Sequence, residues 1–183
     1  MRANAVKVFM DVTIPDLQDR EWIEIRLLPS NPESQFKTKS YFFASKEEAL
    51  KWFEGFQKIQ PTNCSVTMGV TPRNKHKGSK DAVSRIQVLF ADLDAKDFPG
   101  GKQEMLERLK VFPIPCTARV DSGNGFHVYW SLIEPLVING VETINCIEEY
   151  LKAFVKALGS DPSVAEIARV MRMPGTINFK DPN

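Results

Sequence analysis

The 183-residue chain is 43% hydrophobic and has a formal net charge of +1. Its length and composition predict one domain that buries a core of its own. A charge so close to zero excludes attraction of the whole molecule to nucleic acid or membranes, so such a contact would need a local basic patch. The three cysteines are far apart and form no Cys/His cluster. This spacing argues against a zinc site and favours a reducing, cytoplasmic location.

The N-terminal part of the chain reads as strands and one helix. Its first apolar run is short and broken by charged residues, so it predicts neither a signal peptide nor a transmembrane span. The alternating stretch 22–28 predicts a strand, and the polar stretch 29–40 predicts a loop. Residues 45–56 begin with a capping box and predict a helix with aromatic core residues. A second short strand is predicted at 64–70.

The loop at 71–83 is locally basic. Its basic residues are Arg73, Lys75, His76, Lys77 and Lys80. Such a loop is either a solvated surface segment or a segment that contacts phosphate groups, and its composition leaves both interpretations open.

The strongest strand signal, at 84–95, ends in two aspartates. Because side chains alternate along a strand, Asp92 and Asp94 lie on the same face. Two crowded carboxylates are costly unless a cation neutralises them. The pair therefore predicts a site for a divalent ion that prefers hard oxygen ligands, Mg²⁺ or Mn²⁺. The alternative is a strand that ends in an ordinary polar loop.

A helix is predicted at 100–112, and the following sequence CTARVDSGNGFHVYW predicts a β-hairpin. A loop of odd length, 122–124, would place the polar residues on one solvent-facing side of the sheet: Arg119, Asp121, His127 and Tyr129. A histidine on a polar face, beside an arginine and near two aspartates, is a candidate ligand.

A long helix is predicted at 141–160, with Gly159 at its C-terminal end. Asp161 follows it, and the sequence SDPS fits an N-cap aspartate before a helix that has proline in its first position. Asp161 is also a possible third metal ligand. The local pattern does not choose between these two roles.

The C-terminal segment reads as a short helix, a Pro174–Gly175 turn and a last short strand. Arg169, Arg172 and Lys180 lie near this turn together with Asn178. These residues either hold phosphates or form an ordinary surface charge pattern. Strands and helices are mixed along the whole chain, which favours an α/β or α+β sheet domain over a helical bundle or a sandwich.

Three segments together resemble the catalytic core of the archaeo-eukaryotic primase superfamily. They are VLFADLD, DSGNGFHVYW and SDPSVAEIARVMRMPGTINFK, and they occur in the order of the family motifs. They are most similar to the primase-polymerase branch of plasmids, phages and other mobile elements. The resemblance covers about Val88 to Lys180, which is half of the chain. Because all three motifs match and occur in the family's order, the joint match is more specific than a match to any single motif.

The resemblance implies roles for individual residues. Asp92 and Asp94 match the acidic pair, His127 matches the histidine after a glycine-rich turn, and Asp161 best matches the later carboxylate. Many members have serine two residues before the histidine, where this chain has Gly125. The implied metal ligands are Asp92, Asp94 and Asp161. The implied nucleotide-binding residues are His127, Arg172, Ser122, Asn124, Arg119, Lys180 and Asn178. The basic loop residues Arg73, Lys75, Lys77 and Lys80 become candidates for DNA or phosphate contacts.

The resemblance also implies an α+β fold with an RRM-like, mixed or antiparallel catalytic sheet. This sheet, in residues 84–183, would be flanked by helices and a smaller N-terminal α/β unit, residues 1–83. The whole would be one primase-polymerase catalytic domain and a piece of a longer protein. The implied activity is template-directed nucleotidyl transfer with two Mg²⁺ or Mn²⁺ ions. The implied partners are NTP or dNTP, a DNA template and primer, and a fused or separate helicase. No membrane contact is expected, and a monomer is favoured.

Other function classes remain open at this stage. An RRM-type module that only binds nucleic acid would need exposed aromatic side chains on its sheet. A metal-dependent phosphohydrolase or nuclease would use the same aspartates. Nucleases that nick DNA through a tyrosine are similar to one another in holding a metal with paired histidines. This chain has only His76 and His127, which are far apart in the sequence, and this argues against such a nuclease.

Overall fold

Two antiparallel β-sheets form the framework of the molecule. The computed structural model describes residues 2–31, 33–59 and 63–178. The helices are α1 (Arg2–Thr13), α2 (Lys46–Ile59), α3 (Gly101–Val111) and α4 (Val141–Ala157). The strands are β1 (Ile23–Pro29), β2 (Lys39–Phe43), β3 (Cys64–Gly69), β4 (Arg85–Asp94), β5 (Ala118–Asp121), β6 (Gly125–Val137) and β7 (Val170–Arg172). Three 3₁₀ turns occur at 80–82, 95–97 and 162–164.

The first sheet has the strand order β2-β1-β3-β7, and the second has the order β4-β6-β5. All paired strands are antiparallel. This arrangement confirms the predicted α+β class, with antiparallel sheets flanked by helices. β7 comes from the C-terminal part of the chain but pairs with β3, so both parts build the first sheet. The division into units 1–83 and 84–183 stays a prediction. No helix among the described residues is long and apolar enough to cross a membrane.

Most of the predicted elements are confirmed. The predicted strands at 22–28, 64–70 and 84–95 correspond to β1, β3 and β4, and the predicted helices correspond to α2, α3 and α4. α1 is not predicted, although its buried residues Val6, Phe9 and Met10 have helical spacing. β2 is not predicted: it begins with the last two residues of the predicted loop and continues to Phe43, and a short, half-exposed edge strand needs few apolar residues.

The C-terminal segment differs from its prediction. Val170–Arg172 is an extended strand rather than part of a helix, because its backbone pairs with β3. The predicted last strand is not formed at 176–178, and its remainder lies outside the described residues. Arg172 is therefore on a sheet and not on a surface helix.

The first sheet has one apolar and one polar face. The apolar face is covered by α2, whose Trp52 ring lies 4.7 Å from the Tyr41 ring and 5.7 Å from the Phe43 ring. The alternation of β1 and its neighbours places the polar side chains on the other face. These side chains are Glu24, Arg26, Ser40, Ser65, Thr67 and Arg172.

Both faces of the second sheet are covered, which corrects the prediction of a solvent-facing side. On one face, Phe9 of α1 packs against Tyr129 with ring centroids 5.4 Å apart. On the other face, Trp130 packs against Phe154 of α4 at 4.6 Å. Phe90 and Tyr129 on the first face and Ala91 and Val128 on the other are all buried, so this sheet is layered between helices.

The register of the hairpin is also different from the prediction. Val120 lies opposite His127, and Arg119 lies opposite Val128. Ser122 N donates to Gly125 O, which leaves a loop of two residues instead of three. An even loop moves the polar residues of β5 to the other face. Arg119 therefore lies on the face opposite to His127, with its guanidinium 5.0 Å from the centre of the Phe126 ring.

A buried ion pair lies under the polar face of the first sheet. Arg73 and Glu24 both have side chains with no exposed surface, and Arg73 Nε donates to Glu24 Oε2 at 2.9 Å. The other Arg73 nitrogens donate to Thr71 Oγ1 and to the carbonyl of Ala168. Burial lowers the pKa of Arg73, although Glu24 opposes this shift. Arg73 is thus a structural residue, which corrects its assignment to the phosphate-contacting set.

We expect Glu24→Ala to lower the free energy of unfolding by about 3–5 kcal/mol, because Arg73 would remain buried without a counterion. Urea denaturation measures this change. Glu149→Ala is the control, since it removes one partner of an exposed pair with Lys152. That substitution should change stability by less than about 0.5 kcal/mol. Equal unfolding midpoints for Glu24→Ala and the wild type would contradict this role of the ion pair.

Candidate functional site

A cavity of about 560 Å³ lies between the two sheets. The second sheet and its hairpin turn contribute Asp92, Asp94, His127, Ser122 and Asn124. The first sheet and its flanking segments contribute Leu28, Pro29, Asn31, Thr38, Ser65, Thr67, Arg169, Val170, Met171, Arg172 and Asn178. A cavity of this size is in the range of small-molecule sites. Residues that are distant in the sequence thus meet at one site.

Asp92 and His127 face each other across β4 and β6. Ala95 N donates to Asn124 O, so odd-numbered residues of β4 direct their backbone groups to β6. The carbonyl of Asp92 points to the opposite edge, where it accepts a hydrogen bond from Ser160 Oγ at 2.6 Å. Asp92 and His127 therefore form a non-hydrogen-bonded antiparallel pair, in which side chains approach closely. Asp92 Oδ1 lies 3.5 Å from His127 Nε2.

The environment of His127 keeps its imidazole neutral at pH 7. The side chain is 8% exposed, and its Nδ1 atom is buried without a hydrogen-bond partner among the described residues. Burial lowers the pKa of His127 to about 4; Asp92 opposes this shift, and Arg172 and Arg169 add to it. A neutral imidazole still has one N–H to donate.

Asp92 also contacts a cation from the first sheet's side of the cavity. Arg169 Nη2 lies 3.4 Å from Asp92 Oδ2. Asp94 lies two residues further along β4, and its side chain is more exposed than that of Asp92. Its Oδ1 accepts a hydrogen bond from Lys96 N at 3.1 Å. The predicted placement of the two aspartates on one face is confirmed, because both line the same cavity.

Arg172 is joined to the hairpin turn through Asn178. Arg172 Nη2 donates to Asn178 Oδ1 at 2.8 Å, and Asn178 Nδ2 donates to Ser122 O at 3.2 Å. Burial lowers the pKa of Arg172, and Asp92 opposes this shift. The structure thus brings together five of the predicted nucleotide-binding residues: His127, Ser122, Asn124, Arg172 and Asn178.

Asp161 has the predicted N-cap contacts. Its carboxylate accepts hydrogen bonds from Ser163 N at 2.8 Å and from Ser163 Oγ at 2.7 Å. These bonds lower the pKa of Asp161. Asp161 is exposed and does not line the cavity. The neighbouring Ser160 nevertheless ties this segment to the backbone of Asp92. Lys180 lies outside the described residues.

The lysines of the basic loop are paired with acids. Lys77 Nζ lies 3.2 Å from Asp81 Oδ1, and Lys75 Nζ lies 3.7 Å from Asp81 Oδ2. Hydrogen bonds from Ser79 and Lys77 lower the pKa of Asp81 to about 2. Lys80 Nζ lies 2.8 Å from Glu148 Oε2. The loop is therefore less positive than its sequence indicates, and it does not line the cavity.

The chain is similar in fold to a domain of known structure. The AEP domain of the cyanophage S-2L primase-polymerase (PrimPol) matches it with a TM-score of 0.66 and 14% identity, over 93% of this chain and 80% of that one. The chain has the fold of a primase-polymerase AEP domain.

A second similarity is in sequence. A "Replication protein" of Clostridium perfringens is 29% identical over 104 residues, which are 54% of this chain and 25% of that protein. The match thus covers about a quarter of that relative's length. No protein-family model matches the sequence. The fold and this relative support the resemblance to the primase-polymerase branch.

Sequence reasoning missed several parts of the candidate site. Arg169 reads only as one of the cations near the C-terminal turn, and its contact with Asp92 is missed because the segment reads as a helix instead of leading into β7. Ser160 has no sequence signal, because its role depends on the free edge of β4. The contribution of Ser65 and Thr67 follows only from their strand's pairing with β1 and β7.

The chemistry of the cavity fits a divalent metal ion. Among the described residues there is no cluster of three or more His, Cys, Asp or Glu side chains that could hold one. Mg²⁺, however, is often bound by one or two carboxylates together with substrate phosphates and water. Asp92 and Asp94 line one cavity and supply such hard oxygen ligands. The residues that would hold the ion are therefore present.

Gly125, the first residue of β6, is tightly enclosed by the backbone of the neighbouring strand. A Cβ atom at Gly125 would overlap the carbonyl oxygen of Leu93 on β4. We expect Gly125→Ala to lower the free energy of unfolding by about 1–3 kcal/mol, because the strands must separate to admit the methyl group. Gly55→Ala is the control, since nothing lies within 4 Å of its Cβ position.

Gly55 is an exposed position in the interior of α2, so Gly55→Ala should stabilise the protein by roughly 0.5–1 kcal/mol. Thermal and urea denaturation of both variants check this contrast. Equal stability of Gly125→Ala and the wild type would show that β4 and β6 yield without cost and would contradict the steric explanation.

Proposed function

We propose that this chain is the catalytic domain of a primase-polymerase that performs template-directed nucleotidyl transfer. The observation that carries the proposal is the cavity between the sheets, in which two carboxylates, a neutral histidine and two arginines converge. The primase-polymerase AEP fold supports it. The substrates would be NTP or dNTP and a DNA template with its primer. A helicase partner, a monomeric state and a cytoplasmic location stay predictions.

Asp92 and Asp94 would hold the divalent ions, Mg²⁺ or Mn²⁺; Asp161, which is exposed and does not line the cavity, is the third ligand that the resemblance implies. Two such ions, when bound, lower the pKa of the attacking 3′-hydroxyl and stabilise the leaving pyrophosphate. Asp92 is contacted by the cation Arg169 at 3.4 Å and by the neutral His127 at 3.5 Å, so its carboxylate is held in place before any ligand arrives. Ser160 fixes the backbone of Asp92 and keeps the segment of Asp161 beside the strand that carries the other two carboxylates.

His127 and Arg172 would contact the phosphates of the nucleotide. The neutral imidazole can donate one hydrogen bond to a phosphate oxygen without repelling the nearby arginines. Arg172 would add charge-assisted hydrogen bonds, which are stronger than bonds between neutral groups. Asn178 holds Arg172 against the hairpin turn and thereby orients it toward the cavity. Ser122 and Asn124 would complete the phosphate-facing wall.

The structure argues against one of the alternative functions and leaves the other to experiment. A nucleic-acid-binding module of RRM type needs exposed aromatic side chains on its central sheet, but Phe90 and Tyr129 of the second sheet are buried. A metal-dependent phosphohydrolase or nuclease would use the same two aspartates, so the geometry alone does not separate it from a polymerase. Its reaction products do.

Extension of a labelled primer on a DNA template, with Mn²⁺ and either NTP or dNTP, tests the proposal. We expect extension by the wild type and none by Asp92→Asn or Asp94→Asn, because each loses a negative ligand. We expect His127→Ala to be slower by roughly 10²–10³-fold, the usual cost of one hydrogen-bond donor to developing charge. Binding of Mn²⁺, measured from the loss of the free-ion EPR signal, should weaken in the two aspartate variants.

Asp11→Asn is the matched control, because Asp11 is an exposed carboxylate on α1 that pairs with Lys46, away from the cavity. It should extend primers like the wild type. Hydrolysis of nucleotide or cleavage of DNA without extension would favour the phosphohydrolase or nuclease. DNA binding without any reaction would favour the binding module. Near-wild-type synthesis by Asp94→Asn would refute the assignment of the acidic pair.

A pair of substitutions separates the two roles of Asp161. Asp161→Ser keeps an N-cap side chain but removes the carboxylate, whereas Asp161→Ala removes both. If Asp161 holds metal, both variants lose primer extension and Mn²⁺ affinity, while the unfolding midpoint of Asp161→Ser stays near that of the wild type. Wild-type synthesis by Asp161→Ser, with about 1 kcal/mol lost only in Asp161→Ala, would leave Asp161 as a cap alone.

A further inference from the structure

The polar face of the first sheet extends beyond the cavity. Thr38 lines the cavity just before β2, and Ser40 and Phe42 follow it on the same face of that edge strand. At about 3.3 Å per residue, Phe42 lies about 13 Å along the strand from Thr38. A ligand that leaves the cavity over this face would therefore reach Phe42 within a short distance.

An aromatic cluster lies at the end of this path. The ring of His76 stacks on Phe42, with centroids 5.2 Å apart and planes inclined by 14°. The Trp22 ring meets His76 edge-on at 4.6 Å. His76 is exposed, and Trp22 and Phe42 are half-buried. The loop that carries His76 is held over the sheet, because Arg26 Nη2 donates to the carbonyl of Gly78 in that loop at 2.8 Å. Ring surface is thus presented to solvent beside the site.

The surroundings of the cluster are positively charged. Lys75 and Lys77 flank His76 on its loop and are 59% and 61% exposed. Asp81 pairs with the two loop lysines and offsets part of this charge. Aromatic rings bordered by lysines match a ligand that carries both flat bases and phosphates.

We propose that the cluster of Trp22, Phe42 and His76 is a base-stacking site for the single-stranded DNA template. The proposal rests on the proposed function, since it treats the strand as leaving the catalytic cavity across the polar face of the first sheet. Stacking on aromatic rings is independent of base identity, which suits a template of any sequence. His76 contributes its ring, and the lysines nearby contact the backbone.

The test uses fluorescence anisotropy with a labelled single-stranded oligodeoxynucleotide and the full chain. We expect His76→Ala to weaken binding by roughly tenfold, within the range found for loss of one stacked base. His76→Tyr keeps an aromatic ring and should restore most of the affinity. The dependence of binding on salt should be the same in His76→Ala and the wild type, because no phosphate contact is lost.

Oligonucleotides with a single abasic site make the test specific for stacking. In the wild type, an abasic site at the stacked position should weaken binding, and in His76→Ala the same abasic site should have no further effect. Tyr150→Ala is the control, because Tyr150 is an aromatic residue that is 67% exposed on α4, away from this face. It should bind DNA like the wild type. Circular dichroism verifies that all variants are folded.

Several outcomes would overturn the proposal. They are unchanged affinity in His76→Ala, an abasic penalty that is the same in the variant and the wild type, a reduced salt dependence in His76→Ala, or no binding of single strands by the wild type. Primer extension by the same wild-type preparation is measured separately. Extension together with any of these outcomes refutes the stacking site alone. Absence of extension refutes the proposed function, whatever the binding assay reports.

Discussion

The antiparallel pairing of β4 with β6 is the constraint on which the rest of the site depends. It puts Asp92 opposite His127 in a pair whose side chains approach closely. The same geometry turns the carbonyl of Asp92 toward the free edge of β4, where Ser160 binds it. One register therefore sets both the side-chain contact inside the cavity and the attachment of the segment that carries Asp161. A shift of one residue would lose both, because it would turn Asp92 to the other face.

The buried pair of Arg73 and Glu24 fixes the opposite wall of the cavity. Arg73 donates to the carbonyl of Ala168, and Thr71 donates to the carbonyl of Ile167. These bonds hold the chain immediately before β7, the strand that presents Arg172 to the cavity. The ion pair thus acts at a distance from the cavity through the backbone. A buried charge pair is weak evidence of net stability. The main contribution of this pair is therefore to fix the positions of Arg169 and Arg172 at the cavity.

Local patterns predicted the elements better than the contacts between them. Alternation and capping signals located β1, β3, β4 and three helices, and they placed Asp92 and Asp94 on one face. The hairpin loop has two residues instead of three, because Ser122 N donates to Gly125 O. No local sequence pattern specifies this bond. Arg73 looked like a surface cation because its counterion, Glu24, is remote in the sequence. The strand β7 has only three residues, and its pairing with β3, rather than its composition, makes it extended.

Under the proposed function, the charges of the cavity predict that nucleotide and metal would strengthen each other's binding. Asp92 and Asp94 are balanced by Arg169 and Arg172, and the pKa of His127, about 4, leaves it neutral at pH 7. The protein side of the cavity therefore has no net charge with which to neutralise a triphosphate. A cation without a nucleotide would compete with Arg169 for Asp92, which lies 3.4 Å from it. With phosphates present, Arg169 gains another anion to bind and can release the carboxylate. Under the proposed function, each ligand thus improves the site for the other, which is the reciprocal coupling that linkage requires.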